Sequence, residues 1–596
     1  MPWPFLYHGQ TEQWVSLDQR TLTITLVSDK TTPYCKVLLR HEPDNEEHFS
    51  ELSVVKETAQ LRFWQTKFDL RHDQPLNHYA FKLLLEKKQY WLSAFGVSTR
   101  VPGLEKHFKI NPDHQPPEWV KEQVFYQIFP DRFANGKPAI STQNDEYKIA
   151  DTSKTVVAKT WGEPVDDHSG NGGYEFYGGD LYGVENKLDY LQDLGITTLY
   201  LNPIFAAPSN HRYDTMDYYN IDTHLGTNED FAALCDEIHQ RDMKVILDAV
   251  FNHTSTEHPW FNRLGWHQEA GAYQSSQSCY RDYYFFTGES NQYIGWKGVS
   301  SLPVLNFDHS AVRDAIYQSE DAIIKHWLKP PYNIDGWRFD VIHMLGEGEG
   351  AKNNAHYVKS FRESAKAVNA DSYILGEHFF EASSWLQGEQ EDGSMNYYGF
   401  AHPLRALLAN RDIALDPISI NMLEFRDWLA EARAKIPWEN QLAQLNQLDS
   451  HDTPRFFTLL NEDETLFRIA ATFLFTYVGT PCLYYGTEIG MLGGSDPDNR
   501  RCMDWDKVKQ SSLLPFFKQL ITLRKTRPAL QHGSLIELYC DAQCFVFARQ
   551  YQDDVVVVGM NLSDSTQTIE LTPEQQALLG VAIGSLRIEA RQSIIV

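Results

Sequence analysis

Apolar and polar positions fall into three textures along the chain. Up to about residue 115, apolar residues alternate with polar ones in short runs at 22–26, 35–39, 61–68, 79–84 and 90–93. Turn-rich stretches such as HEPDNEEH separate these runs. A period of two belongs to half-buried strands, and this density of short strands predicts an antiparallel β-sandwich. The segment NPDHQPPEW at 111–119 holds three prolines and reads as a linker.

From residue 124 the texture becomes strand–helix alternation. Strand-like runs lie at 124–130, 196–205, 244–250, 334–340, 372–378, 444–452 and 481–490, with a weaker one near 397–400. Amphipathic helical stretches fall between them, for example 228–241 and 308–327. Such repetition predicts a central (β/α)8 TIM barrel. The stretch 254–307 is too long for an ordinary loop and is rich in Gly, Trp, Tyr and Ser, so it reads as a small domain inserted after the third strand. Short strands return at 544–548 and 554–562, which predicts a C-terminal all-β domain. The expected organisation is therefore an N-terminal β-sandwich at 1–115, a barrel at 120–253 and 308–525, the insertion at 254–307, and the C-terminal β domain at 526–596.

Composition narrows the function. A chain of 596 residues needs more than one core. Its formal charge of −27 leaves no basic patch for nucleic acid or an anionic membrane surface. The first ten residues lack the charged start and apolar core of a secretory leader, and no run of eighteen apolar residues occurs. Seven cysteines without a CxxC pair suit a reducing compartment, so a cytoplasmic location is expected. The aromatic content, with 15 Trp and 30 Tyr, suits stacking on flat, neutral ligands.

Four acidic segments stand at successive strand ends: DAVFNH at 248–253, GWRFD at 336–340, GEH at 376–378 and DSHD at 449–452. In a barrel, the C-terminal ends of the strands carry the active site. Arg338 and Asp340 lie two apart, so their side chains leave one face of a strand. An arginine there is expected to hold Asp340 ionised, as a nucleophile requires. Glu377, under crowding and partial burial, is expected to keep a proton as the acid/base. Carboxylates converging in this way either bind a divalent metal or break a glycosidic bond.

The segments DAVFNH, GWRFDVIH, GEHF and DSHD resemble the signature regions of the alpha-amylase family of glycoside hydrolases, and LPVLN at 302–306 resembles its fifth short region. Supporting text includes YGGDLYGVENKLDYL from 177, LYLNPIF, HRYDTMDYYNIDTHLGT from 211, and GTPCLYYGTEIGM followed by GGSDPDNR. The resemblance spans most of 124–505. It implies retaining double displacement, with Asp340 as nucleophile, Glu377 as acid/base and Asp452 steadying the oxocarbenium-like state. It further implies that His253, Arg338 and His451 contact the sugar at the cleavage point and that Tyr213 stacks on it. Asp248 would support the site, and Asp496 with Arg500 would hold the far edge of the non-reducing glucose.

Within the family, the N-terminal sandwich is similar to that of the neopullulanase and cyclomaltodextrinase subgroup. The text as a whole is most similar to the maltodextrin glucosidases of the bacterial cytoplasm. The implied substrates are short linear malto-oligosaccharides from which glucose is released, with cyclodextrins or pullulan as the alternative. A homodimer through the N-terminal domain is also implied. No cofactor is expected. Asp131 and Asn135, in FPDRFANGKP, are too sparse a set of oxygen ligands for a structural calcium to be expected.

Overall fold

The computed structural model describes residues 3–71, 76–149, 154–167, 171–288, 291–348 and 350–596. Its centre is a ring of parallel strands: β1 (Phe125–Ile128), β2 (Thr198–Leu201), β3 (Lys244–Ala249), β4 (Gly336–Phe339), β5 (Tyr373–Gly376), β6 (Gly393–Ser394), β7 (Leu445–Gln447) and β8 (Thr480–Tyr484). They pair in the order β6-β5-β4-β3-β2-β1-β8-β7. A parallel bridge from Met395 to Leu445 closes the ring between β6 and β7. Nearly every strand residue is buried, because helices cover the outer face and side chains fill the interior.

The covering helices follow their sequence pattern. Helix α1 (Asn228–Gln240) opens on a capping box between Thr227 and Asp230. It buries Phe231, Leu234, Cys235 and Ile238, the i, i+3, i+4, i+7 stripe of one helix face. The expected helix at 308–327 is instead broken into Ser310–Arg313, a π turn at Asp314–Gln318 and a second helix at Ile323–Leu328. The break keeps Ile316 and Tyr317 buried together with Ile323, Ile324 and Trp327.

The sixth strand also departs from expectation. It is the two-residue β6, whereas 397–401 forms a π turn leading into the helix His402–Ala409. Tyr397 and Phe400 are buried by that turn, which explains their strand-like pattern. β6 carries no apolar run because there is no space for one. A Cβ on Gly393 would stand 2.1 Å from the Ala443 carbonyl oxygen and 2.6 Å from the Tyr373 hydroxyl.

The N-terminal segment forms two antiparallel sheets. The long strands Thr21–Asp29 and Leu61–Asp69 centre one, and Lys36–His41 and Asn77–Leu84 centre the other. Leu22, Ile24, Leu26, Val37, Leu39 and Phe81 pack between them. His48–Glu51 and Ser53–Glu57 lack a readable alternation because both are largely exposed. The C-terminal sheet comprises Ser534–Cys540, Cys544–Tyr551, Asp554–Asn561 and Gln592–Ile595. Tyr7, Trp14, Val27 and Leu61 of the N-terminal sheets share one core with Ile536, Val546, Val557 and Ile588 of the C-terminal region.

Within 254–307, a small ladder of Phe286–Thr287 on Gln292–Tyr293 packs its rings around Phe261. Residues 289 and 290 of this aromatic stretch lie outside the described residues. A bridge between His253 and Val304 ties the insertion to the end of β3. No described helix is long and apolar enough to cross a membrane.

Placing a methyl group at the seam should loosen the ring. G393A is expected to destabilise the barrel by roughly 1–3 kcal/mol through overpacking, read as a lowered thermal midpoint. An unchanged midpoint would show that the seam has slack.

Candidate active site

Ladder bonds carry the chain one step past the last strand residues. The Asp340 amide donates to the Ala249 carbonyl (3.0 Å), and the Glu377 amide donates to the Phe339 carbonyl (3.2 Å). Both carboxylates therefore stand on the rim at the C-terminal ends of β4 and β5. Asp248 and Arg338 are directly paired in register on β3 and β4, one layer deeper.

Arg338 is fully buried and serves four carboxylates. Its guanidinium lies 2.8 Å from Asp248, 3.1 Å from Asp340, 3.2 Å from Glu377 and 4.0 Å from Asp452. One cation cannot offset that much negative charge in a desolvated site. Burial, and then the neighbouring Glu377 carboxylate, push Asp340 well above the usual carboxylate range despite Arg338. The same two causes raise Asp452 to about 7, with Arg500 and Arg338 opposing. The expectation that Arg338 simply holds Asp340 ionised is therefore corrected, because the guanidinium is shared. The protons belong to the cluster as a whole.

Glu377 is held asymmetrically. Its Oε2 accepts from the Val341 amide at 2.8 Å and faces Arg338 at 3.2 Å. Val341 presents that amide from a left-handed conformation, φ 37° and ψ 39°, which is costly for a β-branched residue.

Tyr213 and His451 form the other wall. Their rings stack at 5.4 Å with an interplanar angle of 5°. Gln127 donates to His451 Nδ1 at 2.7 Å, so the imidazole proton sits on Nε2. That nitrogen lies 2.6 Å from the Tyr213 hydroxyl and 3.1 Å from Asp452. Burial and the Arg500 cation keep His451 far below its ordinary pKa, hence neutral. The Tyr213 hydroxyl donates onward to Asp248 at 2.8 Å. Tyr200 donates to the same oxygen at 2.7 Å.

These residues border a cleft of about 600 Å3. Tyr213, His253, Asp340, Glu377, Asp452, Asp496 and Arg500 all line it. Arg500 bridges Asp496 (2.9 Å) and Asp452 (3.6 Å) on the cleft wall. Asp248, Arg338 and His451 do not line the cleft. All three are buried and tied into one network: Arg338 donates to Asp248, and the Tyr213 hydroxyl reaches both Asp248 and His451.

Residues 127–533 match the family model described as alpha amylase, catalytic domain. The chain belongs to the alpha-amylase family. A cyclomaltodextrinase from Geobacillus thermopakistaniensis (strain MAS1) is 38% identical over 460 residues, covering 77% of this chain and 71% of that one. Neopullulanase 2 from Thermoactinomyces vulgaris is 36% identical over 465 residues, covering 76% and 72%. A solved cyclomaltodextrinase structure superposes with a TM-score of 0.73 at 27% identity, covering 99% of both chains.

This alpha-amylase family glycoside hydrolase has further residues in its cleft. Trp296 and Lys297 come from the insertion, Tyr174 from the long β1–β2 connection, and His343 and Phe380 follow β4 and β5. His343 stood inside the quoted GWRFDVIH, and Phe380 directly follows GEHF; both were legible as neighbours of carboxylates. Trp296 and Tyr174 sit in loops whose course no periodicity reveals. Among the described residues, no group of three His, Cys, Asp or Glu side chains is arranged to hold a metal ion. Asp131 is bonded to Arg132 and to the amides of Tyr177 and Gly178.

The raised Asp452 has a consequence for stability. The folded state keeps its proton up to about pH 7, while the unfolded chain loses it near the ordinary value of 3.8. The folded state thus binds the extra proton between those values, and this group's contribution falls as pH rises through that window. D452N is expected to raise the thermal midpoint relative to the native chain more at pH 8 than at pH 5. Equal shifts at both values would contradict the assignment.

Proposed function

We propose that the enzyme hydrolyses α-1,4-glucosidic bonds in short maltodextrins by retaining double displacement and releases glucose. The observation carrying this reading is the convergence of Asp340, Glu377 and Asp452 on one cleft above a shared Arg338. In the protonation state of the cluster that puts the proton on Glu377 and leaves Asp340 a carboxylate, Asp340 attacks the anomeric carbon while Glu377 protonates the leaving oxygen. Glu377 then deprotonates the water that frees the sugar. Oε2 of Glu377 accepts from the Val341 amide and faces the Arg338 guanidinium, so we assign the transferable proton to Oε1. Asp452 bonds the sugar hydroxyls and favours the flattened ring. Asp248 braces these groups, and His253, Arg338, His451, Tyr213, Asp496 and Arg500 contact the sugar.

Two substrate classes remain to be separated. The Asp496–Arg500 pair in the cleft wall, suited to bonding the hydroxyls of a terminal glucose, supports short linear chains and a small product. The names of the relatives favour the second reading, cyclomaltodextrinase or neopullulanase action on cyclodextrins or pullulan. The proposal includes self-association through the N-terminal sheets, where the edge strand Ser53–Glu57 exposes Val54 and Val55. It also includes a cytoplasmic location, supported by seven unpaired thiols.

D340N should lower turnover of maltotriose by at least about 10³-fold, because the attacking oxygen is lost. Native-like activity in that variant would refute the mechanism. Comparing kcat/KM for maltotriose, β-cyclodextrin and pullulan decides the substrate. A preference for maltotriose, with a reducing-end label appearing first in free glucose, supports glucose release from that end. A preference for β-cyclodextrin or pullulan selects the second reading.

A further inference from the structure

The connection between β5 and β6 returns on itself and buries an acid–imidazole pair beside Glu377. His378 and Glu391 are both fully buried. His378 Nε2 lies 2.8 and 3.0 Å from the two oxygens of the Glu391 carboxylate. That carboxylate occupies the space a side chain on residue 376 would need, since a Cβ there would stand 2.1 Å from Glu391 Oε2. Glu391 therefore touches the residue before Glu377, while its partner His378 is the residue after it. The His378 ring packs on Trp385 at 4.5 Å and on His343 at 5.4 Å. The Glu391 amide donates to the Trp385 carbonyl at 3.0 Å, and His343 Nδ1 is 3.3 Å from the Glu377 carbonyl oxygen. These contacts grip the backbone at 376–378 from both sides.

A buried acid–imidazole pair, charged or hydrogen-bonded, offers little net stability over an apolar pair of similar shape. Its value must be sought in what it orients. We propose that His378 and Glu391 are positioning residues that fix the backbone carrying Glu377, so that its carboxyl meets the leaving oxygen in the bond-breaking step. The inference rests on the reading of Glu377 as the acid/base. A misplaced acid penalises only substrates whose leaving group needs a proton.

The test compares kcat/KM on maltotriose with kcat/KM on α-maltosyl fluoride, whose fluoride departs with little protonation. Variants E391Q, H378Q and the double change alter the acid–imidazole contact from either side or both, and E377Q serves as the reference. For each pair variant we expect a loss of about 10²-fold on maltotriose and less than about 3-fold on the fluoride, a geometric misplacement of the acid. Retained fluoride turnover also reports that the variant is folded.

Equal losses on both substrates, or no loss on either, would overturn the positioning role. If none of the three variants turns over the fluoride, the pair is a folding element and the inference fails. If E377Q itself loses both activities equally, the acid/base reading fails instead.

Discussion

One guanidinium holds this site together. Arg338 is closed off from solvent and is the nearest cation to both rim carboxylates. Burying several carboxylates in a narrow barrel mouth is unfavourable unless their charge is shared and partly neutralised by protons. Loss of such a partner leaves an uncompensated buried charge, on the order of 3–5 kcal/mol. A conservative lysine would not replace it, because a point charge cannot donate to Asp248 and Asp340 from one nitrogen while a second nitrogen faces Glu377. The incomplete neutralisation is also the chemical resource of the site. It retains a proton at neutral pH where isolated carboxyl groups would have none.

The barrel supplies the geometry that makes the sharing work. Register between β3 and β4 sets Asp248 beside Arg338, and one further residue on β4 and on β5 brings Asp340 and Glu377 to the rim. The strained backbone at Val341 aims an amide at Glu377, and the surrounding packing holds that strain in place. Tyr213, His451, Gln127 and Tyr200 extend the same network across the ring to β1 and β2. Rigid strands thus carry the charged groups, while loops and the insertion shape the opening.

Much of this was legible in the residues. Strands buried on both faces read as apolar runs, and carboxylates at their ends stood out because such runs seldom close on acids. β6 was misplaced because a two-residue strand of Gly and Ser has no hydrophobic signal, whereas the neighbouring turn buries two aromatic rings. The edge strands at 48–57 were invisible because neither face is covered. The ionisation of Asp340 was misjudged for a different reason. Spacing along one strand shows that Arg338 is near, but only the closed ring shows that Asp248, Glu377 and Asp452 draw on the same cation. The network that joins Asp248, Arg338 and His451 through Tyr213 depends on depth in the ring, which linear spacing does not encode.

The core joining Tyr7, Trp14, Val27 and Leu61 to Ile536, Val546, Val557 and Ile588 links stretches far apart in the chain. During synthesis, the first sheets emerge long before the residues that cover this face, so the face stays wet until the strands between 536 and 588 have been made. Losing those strands would therefore strip apolar cover from the N-terminal sheets. Damage at residue 588 would be felt near residue 14, far from it in sequence.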